Sequence, residues 1–237
     1  MKIEILFPEY CNLFGDYGNI MYLKACLPDA EFIETSLNSE PVFATEVPNL
    51  IYMGPMTERV QEKVIRRLMP YKERIEELIQ QKVCFLFTGN AMEVLFREII
   101  DGDKVIHGLN IFDFSAVRDY THRFNGNFYG EFNERKVVGC KSQFTMAYGA
   151  NDNGYFAKTI RGIGINQSSS YEGVRRRNFI GTYLLGPLLV MNPYFTQYLM
   201  YHMGVEKPKL AYAEAMKDAY HQRLTEFENK RTVMEKE

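Results

Sequence analysis

The fold is decided by the stretch Val83-Cys84-Phe85-Leu86-Phe87-Thr88-Gly89-Asn90-Ala91-Met92-Glu93-Val94-Leu95-Phe96. An apolar run typical of a strand is followed by a tight glycine turn and then by the start of a helix. Many α/β enzymes present a nucleophile at such an elbow, because the turn exposes one side chain beside backbone N–H groups that hold an oxyanion. Here the turn holds Gly89, which is no nucleophile. Taken alone, the segment also fits an ordinary strand-turn-helix connection.

Similar apolar runs occur on the N-terminal side of this stretch, at Ile3–Phe7, Glu31–Thr35 and Asn49–Met53. Between the last of them and the elbow, Glu58–Gln81 repeats apolar residues at helical spacing, and Pro70 is expected to split it into two helices. Strands that alternate with helices predict an α/β fold, in which a mostly parallel sheet is flanked by helices.

The pattern changes after about Gly108, where strand-like segments such as Asn127–Phe132 and Lys136–Cys140 predict antiparallel additions to the sheet. The segment 210–231 is predicted to be a docking helix, for this domain or for a partner. Its apolar face carries Tyr212, Met216, Ala219, Tyr220 and Phe227. We predict one domain over residues 1–230, with a frayed, charged tail over residues 231–237.

Composition restricts the class of protein. The chain has 237 residues, 46% of them hydrophobic, and a net charge of −2, so it predicts a folded core with no field that recruits nucleic acid or anionic membrane. The N-terminal apolar run is too short for a signal peptide, and no stretch approaches membrane-spanning length, so we predict a cytoplasmic protein. The four cysteines lack Cys-x-x-Cys spacing and no phosphate-binding loop occurs, so we predict no metal and no cofactor.

Three segments carry a resemblance to a known family. They are Leu6–Ile20, which contains Asn12-Leu13-Phe14-Gly15-Asp16-Tyr17-Gly18-Asn19, the elbow itself, and Gly181-Thr182-Tyr183-Leu184-Leu185-Gly186-Pro187-Leu188-Leu189-Val190-Met191-Asn192-Pro193. Together they resemble class I glutamine amidotransferases of the CobB/CobQ-like type, and among these the glutaminase subunit of lipid II isoglutaminyl synthase. The segments follow the family's order over most of residues 1 to about 200. The resemblance implies the flavodoxin-like α/β fold of that class.

The resemblance also implies where the family's catalytic pair would lie. The family's nucleophilic cysteine falls on Gly89 and its catalytic histidine on Leu185. In the family, the thiolate attacks the side-chain amide of glutamine while the histidine moves protons. Glycine and leucine do neither, so we predict that no catalytic residue is intact.

The residues expected around this pair have changed as well. The family's substrate-binding arginine falls on Met146, and its Gly-Gly loop after the third strand resembles Met53–Thr57, which includes Gly54. Replacing the arginine removes a carboxylate clamp. We predict that the former glutamine pocket is formed by Gly54, Gly89, Asn90, Met146 and Leu185.

Other residues are weaker candidates for a rearranged site. Cys140 lies beside the altered substrate stretch and is the substitute nucleophile to consider, although packing at a strand end is the simpler interpretation. Thr88 and Glu93 flank the elbow and could take part in acid–base chemistry. Cys84 lies within the apolar strand, where a buried thiol is inert.

The leading hypothesis is a glutamine amidotransferase-family subunit that has lost glutaminase activity and acts as a scaffold or regulator of a Mur-ligase-like partner. One alternative is an active amidase or amidotransferase that uses rearranged residues such as Cys140. Another is a module that binds a small molecule in the former glutamine pocket. The three differ in whether glutamine is hydrolysed and whether a partner is present.

Overall fold

The computed structural model describes residues 1–236. The strands are β1 (Lys2–Leu6), β2 (Glu31–Thr35), β3 (Leu50–Met53), β4 (Cys84–Thr88), β5 (Phe96–Asp101), β6 (Lys104–His107), β7 (Phe112–Arg118), β8 (Phe124–Phe132), β9 (Arg135–Gln143), β10 (Thr145–Tyr148), β11 (Ala157–Arg161), β12 (Tyr171–Glu172), β13 (Val174–Arg176), β14 (Phe179–Thr182) and β15 (Glu235–Lys236). The helices are α1 (Gly18–Cys26), α2 (Glu58–Leu68), α3 (Lys72–Gln80), α4 (Leu188–Met191), α5 (Pro193–His202) and α6 (Ala213–Glu228).

The central sheet has the strand order β13-β14-β4-β3-β1-β2. The strands β14, β4, β3, β1 and β2 run parallel to one another. At one edge of the sheet, β13 pairs antiparallel with β14. Every residue of β3 and β4 is buried, which explains why both strands are continuous apolar runs in the sequence. The predicted parallel α/β sheet is therefore confirmed.

The strand order also indicates where a ligand would bind. The chain passes from β1 to β2 on one side and then returns to place β3 on the other side of β1. In open α/β sheets, the crevice at the carboxyl ends of the strands beside such a reversal is the usual ligand site. The loops that follow β1, β3, β4 and β14 meet at this edge.

The helical segment between β3 and β4 is divided as predicted. Pro70 lies in a short 3-10 turn, Met69–Tyr71, between α2 and α3, because its ring cannot continue the hydrogen-bond ladder of an α-helix. Val64, Leu68 and Leu78 on these helices are buried against the sheet. Among residues 1–236, no helix has the length and apolar content required to cross a membrane.

Two further sheets lie on the C-terminal side of the elbow. One has the order β10-β7-β5-β6, and the other contains β12, β11, β8 and β15, with β9 paired to β8. The antiparallel β8–β9 hairpin confirms the predicted additions. After the elbow, where the sequence predicts the start of a helix, Gly89–Leu95 forms a short 3-10 helix that leads directly into β5. The segment is almost completely buried.

The C-terminal helix docks on this chain. Met216, Tyr220 and Phe227 of α6 are buried, whereas Tyr212 precedes the helix and is 78% exposed. The predicted apolar face is therefore buried in part, and Ala219 is exposed. Within the predicted tail, β15 pairs with β8. Residue 237 of the predicted tail lies outside the described residues.

Candidate functional site

The turn that follows β4 has a left-handed glycine at its first position. Gly89 has a φ of 57°, in the left-handed region that glycine adopts without strain. A Cβ atom placed on Gly89 would lie only 2.6 Å from Cβ of Pro55 and 3.3 Å from Cδ2 of Leu185. The space in which a side chain at position 89 would begin is therefore filled by Pro55.

The two positions expected to hold the catalytic pair do meet in space. β14 pairs in parallel with β4, with Thr182 opposite Thr88, so the residues that follow both strands lie at the same edge. Leu185 is buried, at 6% exposure, and its methyl carbon is close to the position that a Cβ at Gly89 would occupy. The structure thus brings together Gly89 and Leu185, the two residues at the positions that the sequence resemblance assigns to the catalytic pair.

The side chain of Asn90 forms hydrogen bonds that connect the elbow to the loop after β3. Oδ1 of Asn90 accepts a hydrogen bond of 3.0 Å from the N–H of Met56, and Nδ2 donates one of 2.8 Å to the Met56 carbonyl. The side chain of Asn90 is therefore occupied by this contact. Pro55, which faces the elbow, has no backbone N–H, so it cannot donate to an oxyanion.

A cavity of about 140 Å³ lies in front of the elbow. Its lining is Leu13, Phe14, Pro55, Met56, Thr57, Glu58, Gly89, Asn90, Glu93, Arg123, Ser142, Gln143, Phe144, Thr145, Tyr183 and Leu185. Three of the five residues predicted to form the pocket belong to this lining, and Gly54 and Met146 do not. A Cβ on Gly54 would lie 2.4 Å from the carbonyl oxygen of Cys11, so the backbone of Gly54 packs closely against the Cys11 loop and leaves no room for a side chain. Met146 is on β10, with its sulfur 3.6 Å from Nε2 of Gln143.

Glu93 is a fully buried carboxyl group beside the cavity. Oε1 accepts a hydrogen bond of 2.9 Å from the Tyr183 hydroxyl, and Oε2 accepts one of 2.9 Å from Nε2 of Gln61. Gln61 also donates to the Asn90 carbonyl at 2.7 Å and accepts a bond of 2.6 Å from Arg118. Burial raises the pKa of Glu93 to about 7, against the lowering effect of these hydrogen bonds. The network therefore contains a carboxyl group that titrates near neutral pH.

Asp16 is a second buried carboxyl group behind the elbow. Its Oδ2 accepts hydrogen bonds from the Tyr52 hydroxyl and, at 2.8 Å, from the Thr88 hydroxyl. Burial raises the pKa of Asp16 to about 6, although these hydrogen bonds lower it. Cβ atoms placed on Gly54 and Gly186 would each lie 2.7 Å from an oxygen of this carboxylate. A side chain at either position would therefore displace the carboxylate of Asp16. The sequence analysis quoted Asp16 within a motif, but it did not predict that the Asp16 carboxylate accepts hydrogen bonds behind the elbow.

A buried ion pair supports the end of β14. Nζ of Lys141 pairs with Oε2 of Glu172 and donates to the Gly164 carbonyl at 2.6 Å. Oε1 of Glu172 accepts bonds of 2.8 Å from the Thr182 hydroxyl and 2.7 Å from the Tyr183 N–H. Burial lowers the pKa of Lys141, against the raising effect of Glu172. The pair therefore fixes the backbone that leads to Leu185.

Cys140, the candidate substitute nucleophile, does not line the cavity at Gly89. Cys140 is exposed on β9, and its carbonyl accepts a bond of 3.0 Å from the N–H of Leu185. It lines a separate groove of about 270 Å³. Burial raises the pKa of Cys84 to about 12, so that thiol stays protonated. Within residues 1–236, none of the four histidines lines the groove or the cavity at Gly89.

Comparison with solved structures defines the class of fold. The structure of PurLQS from Thermotoga maritima superposes with a TM-score of 0.52 at 10% identity, covering 94% of this chain and 98% of that one. A glutamine amidotransferase from the same organism gives a TM-score of 0.52 at 10% identity over 94% and 85% of the two chains. Another glutamine amidotransferase gives 0.55 at 12% identity over 86% and 100%. The chain therefore has the fold of glutamine amidotransferases.

Sequence comparison is more specific, although no family model matches the chain. Lipid II isoglutaminyl synthase (glutamine-hydrolyzing) subunit GatD of Staphylococcus aureus is 26% identical over 193 residues, which is 80% of this chain and 78% of that protein. The GatD subunit of Streptococcus pneumoniae is 24% identical over 200 residues, 81% and 76% of the two chains. The chain is thus a homologue of GatD subunits on a glutamine amidotransferase fold.

Proposed function

We propose that this chain is a GatD-related subunit that does not hydrolyse glutamine. The proposal is supported by the elbow, where Gly89 and Leu185 stand at the positions that the resemblance assigns to a nucleophile and a base, and Pro55 fills the space beside Gly89. Glutamine hydrolysis needs a nucleophile for the amide carbon and a base to move its proton. Loss of such a nucleophile costs on the order of a millionfold in rate, so no useful hydrolysis remains.

The same proposal gives the chain a role as scaffold or regulator of a Mur-ligase-like partner. The relatives are named as subunits of a synthase, and the similarity extends over 80% of this chain rather than over the elbow alone. The changes at the elbow leave the strand order and the packing of the sheet intact. A subunit of this kind can bind its partner without supplying ammonia.

A glutaminase assay tests the loss of hydrolysis. Purified protein should release glutamate from glutamine at no more than the rate of a buffer blank. The same assay addresses the rearranged-site alternative, because Cys140 is the exposed thiol nearest in sequence to the altered substrate stretch. Glutamate release that is abolished by Cys140→Ala and retained by Cys26→Ala would overturn the proposal.

Reconstitution tests the partner role. A Mur-ligase-like protein should co-purify with this chain from the source cells in stoichiometric amount. In the reconstituted complex, ammonium chloride should support amidation of the partner's substrate, whereas glutamine should not. Amidation driven by glutamine would show that ammonia is still produced, and the absence of any such partner would remove the scaffold role.

A further inference from the structure

Two adjoining cavities form a groove along the C-terminal helix, the α6 groove. One is the cavity of about 270 Å³ that Cys140 lines, the other has a volume of about 240 Å³, and Met191 of α4 lines both. Residues at this spacing lie on one side of a helix, so the groove follows α6 for about three turns, or about 18 Å. The residues that α6 contributes are Ala215, Met216, Ala219, Tyr220, Arg223 and Phe227.

The lining of the α6 groove is mostly apolar, although several of its residues face solvent. Tyr212, which lines one end, is 78% exposed, and Ala215 and Ala219 are exposed as well. Among the described residues that line the two cavities, Arg223 alone carries a charge, and its guanidinium pairs with Glu226 at 2.7 Å. A contiguous apolar surface that is open to solvent marks an interaction site. The near-neutral lining favours an apolar occupant.

The strand that borders the α6 groove does not offer its edge to an added strand. β9 pairs with β8 on one side. On its other side, the N–H and carbonyl of Val138 bond to the Asn192 side chain at 2.9 and 2.8 Å. The carbonyl of Cys140 accepts the N–H of Leu185 at 3.0 Å. Because these backbone groups are already paired, the groove fits an amphipathic helix, which satisfies its own backbone hydrogen bonds, better than an extended peptide.

Two features of the α6 groove suit a second helix and connect it to the elbow. Ala215 and Ala219 lie one turn apart, and small side chains at a contact let two helix axes approach closely. At its other end the groove reaches the elbow, because Leu185 lines both the groove and the cavity at Gly89. An occupant of the groove therefore lies beside the position that the resemblance assigns to the catalytic histidine.

We propose that the α6 groove receives an amphipathic helix of the Mur-ligase-like partner, whose apolar face packs on Tyr212, Ala219 and Met191. This inference rests on the proposed function, which requires a partner subunit, and it names the surface on which that subunit docks. The relatives are named as subunits of a synthase, which predicts such a surface on this chain. The groove is an apolar surface of this kind that is continuous with the elbow.

Binding of the Mur-ligase-like protein from the source cells to the immobilised full chain tests the proposal. Ala219→Arg places a charge in the groove and should weaken binding about tenfold or more, and Tyr212→Ala should weaken it in the same direction. His221→Arg adds the same charge at an exposed position of α6 that lines neither cavity, so it should change the affinity less than about twofold. Arginine is a good helix former, so both arginine variants should keep the melting temperature of the unaltered chain.

Photo-crosslinking supplies a readout that does not depend on a loss of affinity. p-Benzoylphenylalanine incorporated at position 219 should give an adduct that mass spectrometry identifies as a helix of the Mur-ligase-like protein, and incorporation at position 221 should not. Crosslinks from position 221 alone, or an adduct between two copies of this chain, would overturn the proposal.

The docking inference and the proposed function can fail separately. Partner binding that is equally tight in Ala219→Arg and in the unaltered chain would overturn the docking inference and leave the scaffold role in place. Glutaminase activity of the complex would overturn the proposed loss of hydrolysis and leave the docking result untouched. If no Mur-ligase-like protein binds the unaltered chain, the scaffold role and the docking inference are both wrong.

Discussion

At the scale of single residues, the elbow combines a left-handed glycine with a closely packed neighbour. Gly89 has a φ of 57°, which glycine adopts without strain. Pro55 occupies the space that a side chain at position 89 would need. A side chain could therefore be placed at position 89 only with a change in the loop after β3.

Two glycines allow the packing effect at the elbow to be measured. Gly89 and Gly102 have φ values of 57° and 60°, but a Cβ on Gly102 meets nothing within 4 Å. Substitution of either by alanine incurs the left-handed penalty of about 1 kcal/mol, and overpacking adds about 1–3 kcal/mol at Gly89 alone. Urea denaturation should therefore show a larger loss for Gly89→Ala than for Gly102→Ala. Combination with Pro55→Gly should abolish the difference, and equal losses in both single variants would contradict this account.

The carboxyl group of Glu93 predicts a pH dependence of stability. Its pKa is raised from 4.5 to about 7, so the folded chain binds more protons than the unfolded chain between these values. The free energy of unfolding should fall as pH rises through this window, by on the order of 3 kcal/mol from this group. Glu93→Gln should flatten the slope between pH 4.5 and 7.5 in urea denaturation, whereas Glu40→Gln, at an exposed position, should not. An unchanged slope in Glu93→Gln would contradict the assignment.

Sequence reasoning located part of the site and missed the rest for a physical reason. Gly89 and Leu185 were singled out by the resemblance to the family's motifs, and the structure shows that they follow two neighbouring strands. Arg123 and Gln143, which the sequence analysis did not name, line the same cavity as the candidate Glu93 from separate parts of the chain. Their meeting depends on strand register and on the packing of separate sheets, which a single sequence does not specify.

At the scale of elements, the predicted strands include β3 and β4, whose residues are all buried. β3 and β4 are continuous apolar runs, and their pattern is unmistakable. The sheet formed by β5, β6, β7 and β10 was not named in the sequence analysis, although Phe112–Arg118 has the alternation of a half-buried strand. After the elbow a helix start was predicted, since the local pattern does not reveal that the chain turns into a strand after Leu95.

The buried pair between β9 and β12 can be tested by a double-mutant cycle. Lys141→Met should cost about 3–5 kcal/mol, because it leaves the Glu172 carboxylate buried without its cation. Lys141→Met with Glu172→Leu should recover much of this loss, which gives a coupling energy well above that of an exposed pair. The pair Lys136–Glu131 on the β8–β9 hairpin is the control, with an expected coupling below about 1 kcal/mol. Similar coupling energies for the two pairs in urea denaturation would contradict the assignment.

At the scale of the whole molecule, the C-terminal segment closes the structure by returning to the second half of the chain. Phe227 and Tyr220 of α6 pack with Tyr129 and Val138 on the β8–β9 hairpin, and β15 then pairs with β8. The predicted docking helix is thus used internally on part of its face. Tyr212 remains exposed at its start.

Arg161 on β11 connects the second half of the chain to the end of α6 through hydrogen bonds. Its guanidinium donates to the carbonyl oxygens of Phe227, Asn229 at 2.7 Å and Thr232 at 2.8 Å, so it stabilises the end of α6 and the start of the following segment. Arg161→Ala should accelerate hydrogen exchange in the last turn of α6 and in β15 and leave the central sheet protected, because each local unit opens with its own free energy. Arg223→Ala is the control, since among the described residues Arg223 pairs with the exposed Glu226 on the same helix and with the ring of Phe227. Uniform acceleration across the central sheet in Arg161→Ala would show that the C-terminal segment is instead part of one cooperative unit with the elbow.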